Sequence, residues 1–430
     1  MDDFLKPDIN LNLNVRGLPL SATLAINELS NSLRKQGKRI YKLGLGQSPF
    51  PVPQSVVNEL KNNAHQKDYL PVRGLPALQE AISDYYRNTQ GLTFQAKNIL
   101  IGPGSKELMF LIQLVYYGDL IIPAPSWVSY APQAQIIGRP VRWINTLEEN
   151  EWLLMPEELE SICKEDPNKP RLLILNYPNN PTGGTYNEQE LKDLAYVARK
   201  YKVLMLSDEI YGETNHQGNH VSIAKFYPEG TVISSGLSKW CGAGGWRLGT
   251  FAFPDTLEWL LSSMASVASE TFTSTSAPIQ YAAVRAFRLG IDIERYLWNS
   301  RKILRGIGGQ LYKILTDGDV RAAFPKGGFY MFPNFENYRE SLRNKGIIRP
   351  EQLCQRLLND TGVAILPGTA FGRPEFELTA RLSYVDFDGA RALSALETMA
   401  PDYEPDEAFI RKYCGDNLEA MEKTVEWLKA

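Results

Sequence analysis

Cysteine is scarce and scattered in this sequence. Cys163, Cys241, Cys354 and Cys414 are the four in 430 residues, and no two form a Cys-x-x-Cys pair. That pattern excludes a disulfide scaffold and suits free thiols in a reducing cytoplasm. Histidine is scarcer still: His65, His216 and His220 leave no placement for a Ser-His-Asp set. Two of the three share the polar stretch Asn215-His-Gln-Gly-Asn-His220, which reads as a solvated loop rather than a metal site, so no metal is expected. Neither sign of charge dominates. Lys and Arg number 46 against 49 Asp and Glu, a net charge of −3 spread along the chain. There is no electrostatic footprint for nucleic acid or an anionic membrane. No apolar run approaches the roughly 18 residues of a spanning helix. The opening stretch Met1-Asp-Asp-Phe-Leu-Lys-Pro-Asp8 is polar and acidic, unlike a signal or transit peptide, so a cytoplasmic location is expected. Repeats and low-complexity tracts are missing as well.

What remains is a long chain with an ordinary globular composition. At 43% hydrophobic and 22% charged residues it can bury a large core, and 430 residues exceed one ordinary domain. Short apolar or β-branched runs alternate with helix-length segments, the pattern of a mainly parallel sheet covered by helices. The runs are Asn98–Ile101, Leu120–Ile122, Arg171–Leu175, Val203–Leu206, Thr231–Ser234 and Thr250–Phe253. Several end in turn formers, and α/β proteins place their sites beyond the carboxyl ends of strands. A long helix over about 291–316 is expected to lead into a second lobe with strands near 324–332, 362–366 and 380–384.

The most informative stretch is Ser234-Ser-Gly-Leu-Ser-Lys-Trp-Cys-Gly-Ala-Gly-Gly-Trp-Arg-Leu-Gly249. A Schiff-base lysine needs a compact site sheltered from bulk water, so that its amine can lose its proton. Lys239 follows a small-residue turn, and Arg247 lies among glycines that let backbone approach a phosphate closely. A lysine for an aldehyde and an arginine for a phosphate together describe pyridoxal 5′-phosphate (PLP). Upstream, Gly102-Pro-Gly-Ser-Lys-Glu is a strand-to-helix turn whose free N–H groups make an anion site near Ser105.

The 234–249 string, with its Gly-x-Arg-x-Gly ending, resembles the lysine motif of the class I/II PLP-dependent aminotransferases, fold type I of the aspartate aminotransferase superfamily. Further segments match in the family order: Asn176-Tyr-Pro-Asn-Asn-Pro-Thr-Gly, Ser207-Asp-Glu-Ile-Tyr-Gly, Pro123-Ala-Pro-Ser-Trp and Thr379-Ala-Arg-Leu-Ser-Tyr. The resemblance runs from about residue 21 to 386. It implies a large lobe with a mainly parallel seven-stranded sheet (46–300) and a smaller α+β lobe (1–45 with 301–430). The 44 residues after Asp386 exceed the usual ending of the family.

By the same resemblance Lys239 is the Schiff-base lysine and proton shuttle. Asp208 pairs with the pyridine nitrogen, Tyr211 and Asn180 bond the ring hydroxyl, and Trp127 stacks on the ring. Ser105, Lys106, Ser238 and Arg247 surround the phosphate, together with Tyr69 from a neighbouring subunit of a homodimer. Arg381, Asn180 and Gly46 receive the substrate's α-carboxylate. The activity implied is transfer of an amino group from an L-amino acid to a 2-oxo acid with ping-pong kinetics. Alternatives on the same scaffold are a lyase, a decarboxylase or a synthase. A non-catalytic ligand sensor is a further one, disfavoured because only about 40 residues precede the family core. No second arginine for a distal carboxylate stands out. Tyr41, Trp127, Tyr130, Trp240 and the segment near Phe272 read as an aromatic wall, favouring neutral or aromatic amino acids.

Overall fold

Runs that are apolar at every position belong to strands covered on both faces. Arg171-Leu-Leu-Ile-Leu-Asn176, Leu204-Met-Leu-Ser-Asp208 and Thr231-Val-Ile-Ser-Ser-Gly236 are buried throughout. A computed structural model describes residues 10–430. In chain order its strands are β1 (Tyr41–Lys42), β2 (Ile99–Gly102), β3 (Asp119–Ala124), β4 (Val141–Asn145), β5 (Arg171–Asn176) and β6 (Leu204–Asp208). They continue with β7 (Thr231–Gly236), β8 (Gly249–Ala252), β9 (Tyr330–Met331), β10 (Val363–Ala364), β11 (Leu366–Pro367) and β12 (Ala380–Ser383).

Seven of these form one sheet in the order β2-β8-β7-β6-β5-β3-β4. All neighbours are parallel except β8, which runs antiparallel to both β2 and β7. The mainly parallel seven-stranded sheet expected from the sequence is therefore present. Its edge strand β4 is not legible in the sequence, because Val141-Arg-Trp-Ile-Asn145 buries one residue in five and carries no continuous apolar run. Helices on its faces start with local signals. Before Glu188–Lys200, the Asn187 side chain accepts from the N–H groups of Gln189 and Glu190, and Glu190 accepts from the Asn187 N–H in return.

The register brings three chain segments side by side. Asn176 is paired with Asp208, and Asp208 with Ser234, at the carboxyl ends of β5, β6 and β7. Asn180, Asp208 and Lys239 lie at or just beyond those ends.

The second unit is built on a three-stranded antiparallel sheet, β11-β12-β9. β1 pairs with β10 in parallel, Tyr41 opposite Val363, which attaches the N-terminal segment to this unit. The helix Ile291–Asp317 joins the two units and buries Ile303, Leu304, Ile307, Leu311 and Leu315 in one continuous apolar cluster. The C-terminal tail joins the same cluster. Its helix Glu407–Lys429 starts with Asp406 accepting from the Phe409 N–H at 2.8 Å, kinks at Cys414, and buries Phe409, Ile410, Leu418 and Met421. Trp427 Nε1 donates to Asp360 at 2.9 Å. The tail thus closes the core of the second unit. All four cysteines are buried and unbridged. Among the described residues no helix is long and apolar enough to cross a membrane.

Candidate active site

Lys239 follows β7 by three residues, half-buried, and its ammonium donates to the Gly46 carbonyl at 2.8 Å. The rings of Tyr211 and Phe329 lie 5.5 and 5.9 Å from Nζ. Burial, then the charge of Arg381, lowers its pKa from the ordinary lysine value to about 8, with Asp208 opposing. A lysine so placed has a sizeable neutral fraction near neutral pH, as a nucleophile and proton carrier needs.

Asp208 closes β6 and is 3% exposed. Burial raises its carboxyl to about 6, although Tyr130, Ile210 N–H and Ser234 all donate to it, at 2.5, 3.4 and 3.3 Å. Among the described residues no cation pairs with this carboxylate, so the site can take a protonated ring nitrogen as the missing partner. Tyr211, also buried, shares a hydrogen bond with Tyr330 at 2.7 Å.

At the other end, the helix Ser105–Val115 begins beside β8 and leaves its first N–H groups for an anion. The cradle has no room for a side chain: a Cβ on Gly249 would lie 2.0 Å from the Ser105 nitrogen, and one on Gly104 would lie 2.2 Å from Arg247 Nη2. Gly104 has φ +92°, a conformation glycine adopts without strain. Arg247 donates to the Gly244 and Pro103 carbonyls at 3.0 and 3.4 Å. Lys106 Nζ lies 5.3 Å over the Trp127 ring, and burial followed by the charge of Arg247 lowers its pKa. Among the described residues neither cation has a carboxylate partner. Ser238 sits half-buried next to Lys239. Arg247, a cation without a carboxylate at a helix N-terminus, fits a phosphate, and a lone buried carboxylate fits a pyridinium, so the donor set suits PLP.

Arg381, on β12, carries a buried charge at the edge of this site. It is 1% exposed, lies between the rings of Tyr330 and Phe371 at 4.8 and 4.9 Å, and has no carboxylate partner among the described residues. Its Nη1 donates to Asn180 Oδ1 at 3.1 Å, its Nη2 to the Gly44 carbonyl, and its Nε is unpartnered. Buried guanidinium groups are ordinarily paired, so this one is set for an arriving anion.

Lys239, Asp208, Tyr211, Asn180, Arg381 and Gly46 therefore converge, with Ser105, Lys106, Trp127 and Arg247 around the helix start and Ser238 beside Lys239. Tyr69 does not join them; it is 89% exposed on this chain. Other expectations are corrected. Tyr41 is buried under the Arg39 guanidinium, Trp240 packs edge-on against Phe287, and Tyr130 points its hydroxyl at Asp208. Of the expected aromatic wall, Trp127 and Phe272 remain half-buried and uncommitted to those roles. The 215–220 loop is solvated only at Gln217, Gly218 and Asn219: His216 is 2% exposed and faces the Pro325 and Gly328 carbonyls, while His220 Nε2 bonds Glu209 at 2.9 Å. Tyr330 was missed altogether. Its hydroxyl would lie 1.8 Å from a Cβ on Gly46, which explains why glycine stands there.

Comparison with known proteins agrees with this geometry. A family model, Aminotransferase class I and II, matches residues 38–387. The chain is 34% identical to an aspartate aminotransferase of Geobacillus stearothermophilus over 397 residues, 89% of this chain and 95% of that one. It is 32% identical to an asparagine–oxo-acid transaminase of Streptococcus mutans, over 85% of this chain and 92% of the other. The structure of aspartate aminotransferase from Thermus thermophilus with maleate superposes with a TM-score of 0.83 at 27% identity, covering 97% of this chain and all of that one. Fold and site together define a PLP-dependent transferase of fold type I. The chain belongs to the class I and II aminotransferases, and it is a transaminase that uses PLP.

Proposed function

We propose that Lys239 is the residue that holds PLP covalently and moves the reacting proton, and that the donor is an α-amino acid gripped by Arg381. The observation that carries this reading is the fully buried Arg381 guanidinium without a carboxylate, close enough to Lys239 to lower its pKa. When bound, PLP supplies an electron sink that makes the α-proton of an amino acid attached at its aldehyde carbon acidic. Asp208 would keep the ring nitrogen protonated, Tyr211 and Asn180 would bond the ring hydroxyl, and Trp127 would cover the ring face. Ser105, Lys106 and Ser238 present N–H groups to the phosphate, with Arg247 as its cation. Arg381 and Gly46 fix the substrate carboxylate, which aims the Cα–H bond at Lys239 Nζ. Lys239 Nζ would take that proton and hold it for return to the substrate framework.

Asp208 is testable by itself. Asp208→Ala should lower kcat/KM about a thousandfold, equivalent to ~4 kcal/mol, while leaving PLP measurably bound. Near wild-type turnover in that variant would remove Asp208 from its role.

For the side chain, we infer that an acidic amino acid, aspartate, is preferred over neutral or aromatic ones. Three of the aromatic residues that would favour the latter, Tyr41, Tyr130 and Trp240, are committed elsewhere, whereas Lys106 offers an ammonium with no carboxylate partner among the described residues. The named activity of the relatives points the same way. Single-turnover rates with aspartate should exceed those with phenylalanine, methionine and alanine at least tenfold, since one charged hydrogen bond contributes roughly 1.5–3 kcal/mol. Lys106→Met should remove that preference while barely changing alanine. Equal rates for phenylalanine and aspartate would overturn the acidic reading.

Three coarser inferences accompany this. We divide the chain into a large domain, 46–300, and a small one, 301–430 with 1–45; the first nine residues of the latter lie outside the described residues. The free thiols favour a reducing cytoplasm. The isolated, exposed Tyr69 favours a homodimer in which it completes the partner's phosphate site. A monomeric, fully active protein in sedimentation would rule the dimer out.

A further inference from the structure

Arg373 takes no part in the chemistry above, yet its head is buried where the two units meet. The residue is 8% exposed, and its Nη1 donates to the carbonyls of Ala124 at 2.8 Å and Thr146 at 3.0 Å. Ala124 closes β3 and Thr146 follows β4, so both acceptors lie at the carboxyl edge of the large sheet. Nε and Nη2 make a two-pronged pair with Glu377 at 2.8 and 2.7 Å. The guanidinium also stacks 4.7 Å from the centre of the Trp152 ring. A planar fork committed on both prongs and on one face has a single orientation, which a lysine could not reproduce.

The segment that carries Arg373 also carries Phe371, whose ring lies 4.9 Å from the Arg381 guanidinium. The Phe371 carbonyl accepts from the Ser126 N–H at 3.0 Å, one residue before Trp127. One short stretch of the second unit therefore forms a wall of the carboxylate clamp and is bonded to the loop that presents Trp127. The bonds from Arg373 are charge-assisted, roughly twice as strong as the neutral Ser126–Phe371 bond. Arg373 adds a charged attachment at the strand ends to that bond and to the apolar cluster of Val128, Trp152, Phe332 and Phe371.

We propose that Arg373 is a positioning residue: by gripping the strand ends at Ala124 and Thr146 it holds the Phe371 wall of Arg381 at a fixed separation from Trp127, so that a substrate's carboxylate and its reacting carbon arrive in register. The proposal rests on the reading of Arg381 as the carboxylate site.

The test uses the PLP-loaded enzyme and the variants Arg373→Met, Arg373→Lys and Arg381→Met. Arg373→Met should raise KM for aspartate and Kd for succinate, an unreactive dicarboxylate, at least about tenfold each, while kcat and bound PLP change less than about threefold. Arg373→Lys should recover part of the loss, because an ammonium can still reach one carbonyl. In the Arg381→Met background, adding Arg373→Met should lower kcat/KM less than about twofold, since the group it acts through is gone. Amide exchange at Ser126 should also quicken in Arg373→Met. Unchanged KM and Kd in Arg373→Met, or the same fold loss in both backgrounds, would overturn the proposal. Should Arg373→Met fold poorly, Glu377→Gln weakens one side of the fork and should raise KM about threefold with the same dependence on Arg381. If Arg381→Met alone leaves KM unaltered, the carboxylate reading fails; if it raises KM while the Arg373 variants show no coupling, only the positioning role fails.

Discussion

Replacing Lys239 by alanine is expected to lower kcat by at least about four orders of magnitude, the upper range of what a positioned acid–base group contributes. Two losses combine in that variant: the covalent hold on the cofactor, and the amine that moves the α-proton. The fold should survive. Among the described residues the Lys239 side chain hydrogen-bonds only the Gly46 carbonyl, and burial disfavours its charge, so the ammonium is a cost to the ligand-free protein rather than a support. Added methylamine or ethylamine should restore part of the lost turnover, because a small amine can enter the vacated space and carry the proton. A structural lysine would show the reverse pattern: a lower melting temperature and no rescue. Turnover within tenfold of the parent would contradict the assignment.

Arg381→Met is expected to lower kcat/KM for the amino donor about a thousandfold, in line with the 3–5 kcal/mol lost when one member of a buried ion pair is removed. The stability result should run against the usual cost of a core substitution. In the ligand-free protein the guanidinium is buried between Tyr330 and Phe371 with no counter-charge, and burial pulls its pKa down. Removing it relieves that desolvation, while Asn180 and Gly44 each lose a donor at roughly 1–3 kcal/mol. The two effects offset, so the unfolding free energy should stay within about 1 kcal/mol of the parent or rise. Arg381→Lys should recover little activity, since a point charge lacks the two-pronged geometry. A variant that keeps its KM but melts far earlier would make Arg381 a structural residue.

Much of this site is legible in the sequence because the parallel sheet concentrates it. Asn180, Asp208 and Lys239 each lie at or just beyond the end of one of three adjacent strands, so their chemistry and their turn residues sit in short readable strings. Residues acting across the units are not legible that way. Tyr330 and Phe371 look like ordinary core aromatics until the fold sets them on either side of Arg381. Trp240 shows the converse: it adjoins Lys239 in the chain, but its ring turns away into the core against Phe287. The 215–220 loop misled for a related reason. Its polar composition suits solvent, yet the carbonyls that bury His216 come from residues 325 and 328, over a hundred positions away. The tail after Asp386 carries no motif, and only its packing against the helix Ile291–Asp317 explains it.

The most direct test of the account is where the cofactor is attached. The purified enzyme should be yellow, and borohydride reduction followed by proteolysis and peptide mapping should give one pyridoxyl-lysine, at Lys239. A label on any other lysine, or a protein that takes up PLP without reducible attachment, would contradict it.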